Sequence, residues 1–147
     1  MKKMLAYGLI FLALLAGLPR AFAIGYLILV TKENQAKVGV KFTLTALKVS
    51  DTAVSVDMEI PKQDKLKDLK KVTMDIGDYK PRVATSPMVL VNLETKPGKN
   101  GSILVSFQVS PEMADKCSIL LGPVEPAPPG AHAVYSVQVK SYVTTKR

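Results

Sequence analysis

The segment VSVDMEI (Val54–Ile60) decides the fold, because every second side chain in it is apolar. Alternation with a period of two is typical of a β-strand that buries one face and leaves the other in water. Pro61 follows directly and predicts the end of the strand, since proline has no amide hydrogen for the ladder. We therefore predict a half-buried strand over this segment, with Asp57 and Glu59 directed to solvent.

The same alternation recurs in both directions along the chain. It predicts four more half-buried strands, over residues 38–44, 72–76, 103–109 and 133–139. At Ala46-Leu47 the apolar phase changes by one residue, and we expect a bulge or bend there, because a slip of one residue moves every side chain to the other face.

Three further segments are apolar at both even and odd positions: Ile24–Val30, Met88–Leu93 and Ser118–Leu121. Short runs of this kind predict strands that are covered on both faces, or an N-terminal strand near the seam between two sheets. With these segments the chain has about seven to eight strands at close spacing. No long helical pattern lies among them.

The connections are those of an all-β protein. Lys96–Gly101 is a turn cluster ending in Asn-Gly, a strong hairpin signal, and Ser110-Pro111 predicts a short helical turn capped by the serine. The pattern resembles the immunoglobulin-like and fibronectin-like β-sandwiches, in which two antiparallel sheets pack face to face. It lacks the paired cysteines and the buried tryptophan of antibody-type domains.

The N-terminus has the three-part layout of a cleavable secretory signal peptide. Lys2 and Lys3 precede an apolar run over Met4–Leu18, and Ala21-Phe22-Ala23 supplies small residues at the positions that a signal peptidase reads. The apolar run is shorter than the roughly 20 residues of a spanning helix, although Arg20 leaves an uncleaved anchor as the alternative. We expect cleavage after Ala23 and one β-sandwich domain over residues 24–147, exported to a periplasm or the exterior.

Composition argues against several function classes. The 147 residues carry a formal net charge of +8, which falls to +5 once the signal is removed. That charge is weak evidence for any partner, and nucleic acid is an unexpected partner for an exported protein. One cysteine permits no internal disulfide, and one histidine excludes a blue-copper centre, which needs two. We expect no cofactor.

Two surfaces are candidates for binding another protein of the cell envelope or exterior. The first is the lysine-rich connection KQDKLKDLKK (Lys62–Lys71), which is read either as a patch for anionic surfaces or as a solvated loop tethered by Leu66, Leu69 and Val72. The second is the loop Val124–His132, whose proline content predicts an extended, semi-rigid segment. The candidate partner-binding residues are Lys62, Lys65, Lys67, Lys70, Lys71, Pro126, Pro128 and Pro129.

Two alternatives remain. Met113, Cys117 and His132 could carry copper or a small ligand, because thioether and thiolate ligands suit Cu(I), whereas Met58 and Met74 have the positions of core residues. A hydrolase with dispersed residues is the other alternative. It has little support, because His132 is the only candidate base and no G-x-S-x-G motif is present. Of the four candidate carboxylates, Asp57, Glu59 and Asp75 lie at outward strand positions, and Asp78 follows a strand. The sequence therefore predicts a non-catalytic binding or accessory module.

Overall fold

The computed structural model describes residues 25–76, 89–124 and 132–145. This part of the chain forms ten strands: β1 (Gly25–Val30), β2 (Thr43–Lys48), β3 (Val54–Ile60), β4 (Val72–Ile76), β5 (Val89–Asn92), β6 (Thr95–Pro97), β7 (Ile103–Val109), β8 (Cys117–Val124), β9 (His132–Gln138) and β10 (Val143–Thr145). Two short helices, α1 (Gln35–Val38) and α2 (Pro111–Lys116), and three 3-10 turns (Asp64–Leu66, Lys99–Gly101 and Val139–Tyr142) connect them. The predicted signal peptide lies outside the described residues.

The strands form two mixed five-stranded sheets. Sheet 1 has the order β1-β9-β8-β4-β5, and sheet 2 has the order β10-β2-β3-β7-β6. Most neighbours are antiparallel, but the edge strands β1 and β10 run parallel to β9 and β2. The all-β prediction is confirmed. The strand count exceeds the predicted number, because the short strands β6 and β10 have no clear alternation in the sequence.

The core lies between the inner faces of the two sheets, as in a β-sandwich. Strand β3 illustrates how one face of a sheet becomes the inner face. Its residues alternate between buried and more exposed along its whole length, as the sequence predicts. Apolar side chains from both sheets meet in one buried cluster, among them Val56, Met58, Val105, Ile119, Leu121 and Val137. The predicted core methionines Met58 and Met74 are 2% and 6% exposed.

The strand predicted over residues 38–44 begins later than expected. The Thr31 amide donates to the Asn34 side chain over 2.8 Å, α1 follows, and Gly39 ends α1 with a left-handed φ of 74°. Val40 and Phe42 are buried as the alternation predicts, yet pairing with β3 starts only at Thr43. A helical turn can satisfy the same polar-apolar pattern over a few residues, so alternation alone places this boundary wrongly.

The bulge predicted at Ala46-Leu47 is absent. β2 pairs with β3 without interruption from Thr43 to Lys48, and Ala46 stays on the buried face. Leu47 lies beside Thr144 of β10, which partly covers it and so accounts for an apolar residue on the outer face. The register shift in the described part of the chain lies instead between Leu121 and Val124 of β8.

Two outward positions are buried, against expectation. Thr73 in β4 is 6% exposed and Ser136 in β9 is 4% exposed. Both flank Leu120 of β8 in the register of sheet 1, so these short side chains lie beside a larger one near the middle of the sheet. A small side chain in that position loses contact with water even on the outer face.

The predicted turns are confirmed. Asn100 and Gly101 both have positive φ, at 57° and 75°, and the Gly98 amide bonds to the Ser102 carbonyl over 2.8 Å to close the hairpin between β6 and β7. At the start of α2 the Ser110 hydroxyl accepts from the Met113 amide over 3.2 Å, with Pro111 as the first helical residue. These contacts fix the ends of β7 and β8.

A candidate lysine-rich binding surface

The connection Lys62–Lys71 is anchored to the domain by its apolar residues. Leu66 is 6% exposed and Val72 is 1% exposed, while Leu69 packs against the core, so the three predicted tethers hold the connection to the domain. All five lysines of the connection are nevertheless exposed. The backbone is therefore anchored, and the charges remain in solvent.

Two side chains of this connection bond to the segment that precedes β2. The Gln63 amide group accepts from the Lys41 amide over 2.8 Å and donates to the Lys41 carbonyl over 2.6 Å. The Lys65 ammonium donates to the Val38 carbonyl over 2.6 Å, at the end of α1. These contacts hold two lysine-bearing segments side by side, although they are more than 20 residues apart in sequence.

These two joined segments carry eight exposed lysines, which together we call the lysine surface. Its exposed members are Lys32, Lys37, Lys41, Lys62, Lys65, Lys67, Lys70 and Lys71. The ion pairs within the described chain, Lys48–Asp51 at 3.4 Å and Lys116–Glu112 at 3.5 Å, lie elsewhere. Within the described chain, Asp64 and Asp68 form no ion pair with these lysines, and of the eight ammonium groups only that of Lys65 is shown bonded to the protein, at the Val38 carbonyl.

The sequence patterns do not single out Lys32, Lys37 and Lys41 as candidate site residues. Alternation assigns Lys37 and Lys41 only outward positions of a strand. The signal that could have found them is their density, since three lysines fall within ten residues without an aspartate and with only Glu33 as an acid. Their proximity to Lys62 and Lys65 depends on the Gln63 and Lys65 contacts, which no local pattern encodes.

A cleft of about 510 Å³ opens beside these lysines. Its lining combines α1, the approach to β2 and the residue after β3: Lys32, Gln35, Ala36, Gly39, Val40, Lys41, Phe42, Thr43 and Pro61. Lys32 and Lys41 are exposed at the cleft, whereas Val40 and Phe42 belong to the buried core. No acidic residue lines it among the residues described.

Hydrogen bonds fix the walls of this cleft. Gln35 donates to the Phe42 carbonyl over 2.8 Å and accepts from the Tyr142 hydroxyl over 2.8 Å. The Phe42 and Tyr142 rings pack with their centroids 5.9 Å apart. The Lys32 amide donates to the Ser141 hydroxyl over 3.0 Å. Neighbouring elements thus hold the Lys32 and Phe42 backbones and the Gln35 side chain in place.

The proline-rich loop is the second candidate surface predicted from the sequence. Pro126, Pro128 and Pro129 lie outside the described residues, between the end of β8 at Val124 and the start of β9 at His132.

The structure does not bring the proposed copper ligands together. Cys117 begins β8 next to α2, which contains Met113, whereas His132 begins β9. β8 and β9 are antiparallel, with Ser118 opposite Gln138, so the backbone of His132 lies about 20 Å from that end of the pair. The described chain also holds no group of three or more histidine, cysteine or acidic residues that could bind a metal ion.

Cys117 has the environment of an unreactive thiol. It is 2% exposed and free of any disulfide. Burial raises the pKa of the thiol to about 11, so it stays protonated at neutral pH.

The carboxylates considered for a hydrolase lie on opposite sides of the domain. Asp57 and Glu59 are exposed on the outer face of sheet 2, where Asp57 accepts a hydrogen bond from the Ser106 hydroxyl over 2.6 Å. Asp75 lies on sheet 1, where Oδ1 is buried without a hydrogen-bond partner among the described residues, and burial raises the pKa of the carboxyl. Asp78 lies outside the described residues. The described carboxylates thus form no pair across a common cleft.

The outer faces of the two sheets differ in polarity. On sheet 2 a hollow of about 340 Å³ is lined mainly by polar side chains, including Thr43, Thr45 and Ser106. Sheet 1 exposes apolar side chains near its edges, with Leu27 and Leu29 each 43% exposed and Leu90 54% exposed. The three predicted strands whose side chains are apolar at both even and odd positions become β1, β5 and β8. All three lie in sheet 1.

No helix in the described part of the chain has the length and apolar character to cross a membrane. A scan against protein-family models, a search of the curated proteins and a search of the solved structures each found no match for this chain.

Proposed function

We propose that this protein is an exported, non-catalytic binding module that attaches to another protein of the cell envelope or exterior through the lysine surface. The observation that carries the proposal is the set of eight exposed lysines on two segments held together by Gln63 and Lys65. Unpaired charges of one sign on a rigid scaffold raise the association rate with an oppositely charged partner. The partner surface is accordingly acidic.

We also propose that the domain is an immunoglobulin-like sandwich. Taken in chain order, β2 to β9 correspond to the strands A, B, C, C′, D, E, F and G of such a domain. The pairing order β2-β3-β7-β6 then matches A-B-E-D, and β9-β8-β4-β5 matches G-F-C-C′. β1 and β10 are additional edge strands. Domains of this class commonly present loops and sheet edges to partners, which supports a binding role as an analogy of fold alone.

Export of the mature chain is tested by mass spectrometry on protein recovered from its own host. A denatured mass for residues 24–147 in the periplasmic or secreted fraction, with a heavier native species, is the expected result. The difference between the native and the denatured mass then gives the mass of the bound partner. An uncut chain recovered from membranes would overturn the export proposal.

The lysine surface is tested by two triple variants of equal charge. Lys62, Lys67 and Lys70 are replaced by glutamine in the first variant, and Lys48, Lys116 and Lys140 in the second. Lys65 is kept because its ammonium group bonds to the Val38 carbonyl. We expect the first variant to lose the partner in crosslinking on whole cells and the second to keep it. Equal loss in both variants would show that net charge alone is responsible and would contradict the proposal.

A further inference from the structure

We propose that the cleft beside α1 is a binding pocket for a short acidic segment of the partner, with a carboxylate placed between Lys32 and Lys41. This inference rests on the proposed function and names the part of the lysine surface where recognition is specific. The cleft volume of about 510 Å³ falls in the range of small-ligand sites, which is enough for a few side chains of an extended peptide.

Charge complementarity selects an anionic occupant. Lys32 and Lys41 both line the cleft, both are exposed, and neither is in an ion pair within the described chain. Two acidic residues lie close to these lysines. Glu33 follows Lys32 in sequence, and Glu59 of β3 pairs with Thr43 of β2. Neither glutamate lines the cleft. An anion in the cleft therefore meets two ammonium groups and no competing carboxylate from the lining.

The walls favour a peptide over a phosphate or a glycan. A phosphate site typically uses arginine forks or clustered backbone amides, and the described chain contains no arginine. A glycan is usually held by an exposed aromatic ring, whereas Phe42 at this cleft is 7% exposed. The exposed apolar residues of the lining are Ala36 and Pro61, which suit small apolar side chains on either side of a glutamate or aspartate.

The lining is fixed before any ligand arrives. Gln35 is held at both ends of its amide by Phe42 and Tyr142, and Gln63 holds the Lys41 backbone from the other side. Gly39, which turns the chain into the cleft, has a φ of 74°, and an added Cβ would lie 2.9 Å from the Lys65 ammonium. The two lysine backbones thus keep a constant separation, which is what discriminates a defined acidic segment from diffuse negative charge.

The test measures binding of a fluorescein-labelled synthetic peptide that alternates glutamate and valine, by fluorescence anisotropy at low ionic strength. The protein is the mature chain, compared with a Lys32→Gln/Lys41→Gln variant and a Lys48→Gln/Lys116→Gln control of equal net charge. We expect the cleft variant to weaken peptide binding by about tenfold and the control by about twofold at most. Equal weakening in both variants would overturn the pocket.

A second variant addresses the cleft without removing a lysine. Ala36 is an exposed residue of α1 that lines the cleft, and Ala36→Glu would place a carboxylate where the ligand is expected. We expect this variant to lose peptide binding while its thermal unfolding is unchanged. Thr45→Glu, on the outer face of sheet 2, is the matched control and should bind as the wild type does.

Two further ligands separate this inference from the proposed function. Vesicles of phosphatidylglycerol and heparin are each tested against the same variants. Binding to either probe but not to the peptide would overturn the acidic-peptide pocket and identify a lipid or a glycan as the ligand.

If the peptide binds at the cleft while crosslinking in cells finds no protein partner, the pocket stands and the proposed function fails. If crosslinking depends on Lys62, Lys67 and Lys70 but not on the cleft lysines, the pocket fails and the proposed function stands.

Discussion

Asp75 is an acidic residue whose carboxyl group is partly buried in sheet 1. Within the part of the chain that the structure describes, its Oδ1 is buried without a hydrogen-bond partner, and burial raises the pKa of the carboxyl. A raised pKa in the folded state means that the native protein binds this proton more tightly than the unfolded chain does. The contribution of Asp75 to stability is therefore complete below the unfolded pKa and is lost as the pH rises through the folded pKa.

The replacement Asp75→Asn should consequently stabilise the protein near neutral pH. We expect a gain of about 1 kcal/mol in the free energy of unfolding, because the charged form no longer has to be buried. The gain should disappear at about pH 3, where the wild-type carboxyl is protonated. Chemical denaturation at both pH values measures it. Asp57→Asn, which alters an exposed acceptor of the Ser106 hydroxyl, is the control and should give no gain. An equal gain at both pH values would contradict the explanation.

The Cys117 thiol should be unreactive in the native protein. Its pKa of about 11 and its 2% exposure leave almost no accessible thiolate at about pH 8. We expect Ellman's reagent to label it only as fast as the domain opens, and fully in denaturant. Because the folded pKa is raised, stability should also fall as the pH passes from about 9 to about 11, and Cys117→Val should reduce that fall. Rapid labelling of the folded protein would refute this placement.

At the level of elements, period-two alternation predicts strands well where nothing local competes with it. β3, β7 and β9 follow the predicted segments closely, and Pro61 and the Asn100-Gly101 turn mark boundaries as expected. The pattern fails before β2, where Asn34 and Gly39 favour a helical turn that alternation does not register. Short helices and edge strands depend on single capping residues and on neighbours from distant parts of the chain.

Strand β1 forms one edge of sheet 1 in the described part of the chain. It has six residues without proline or charge, and Leu27 and Leu29 are each 43% exposed. The edge strands of sheet 2 are shorter, with three residues each, and β6 carries Lys96 and Pro97. Natural proteins commonly use short strands, charge and proline to discourage pairing between edges.

Introducing a charge on this edge should therefore reduce aggregation. We expect Leu29→Lys to slow the rise in light scattering of the concentrated mature protein on heating, while the free energy of unfolding changes by only about 0.5 kcal/mol. Thr45→Lys adds the same charge to the outer face of sheet 2 and should leave aggregation unchanged. If both variants aggregate equally slowly, net charge rather than the edge is responsible.

For the whole molecule, the candidate site was harder to predict than the fold. The lysines of Lys62–Lys71 stand out in sequence, but the cleft depends on Gln63 meeting Lys41 and on Tyr142 meeting Gln35, which is 107 positions away. Similarly, Met113, Cys117 and His132 are close in sequence, yet the antiparallel pairing of β8 and β9 separates the histidine from the other two. Such juxtapositions follow from topology, and no local pattern encodes them.

The shared core predicts that both sheets unfold together. Ile119 of β8 is 0% exposed and belongs to the cluster that joins the inner faces of the two sheets. Ile119→Ala should lower the free energy of unfolding by about 2–5 kcal/mol, through lost transfer energy and the cavity left behind. Far-UV circular dichroism, which follows the strands, and tyrosine absorbance, to which the buried Tyr135 and Tyr142 contribute, should give the same midpoint. Leu27→Ala, at an exposed edge position, should cost less than about 1 kcal/mol. Separate midpoints for the two probes would mean that the sheets are not joined by one cooperative core.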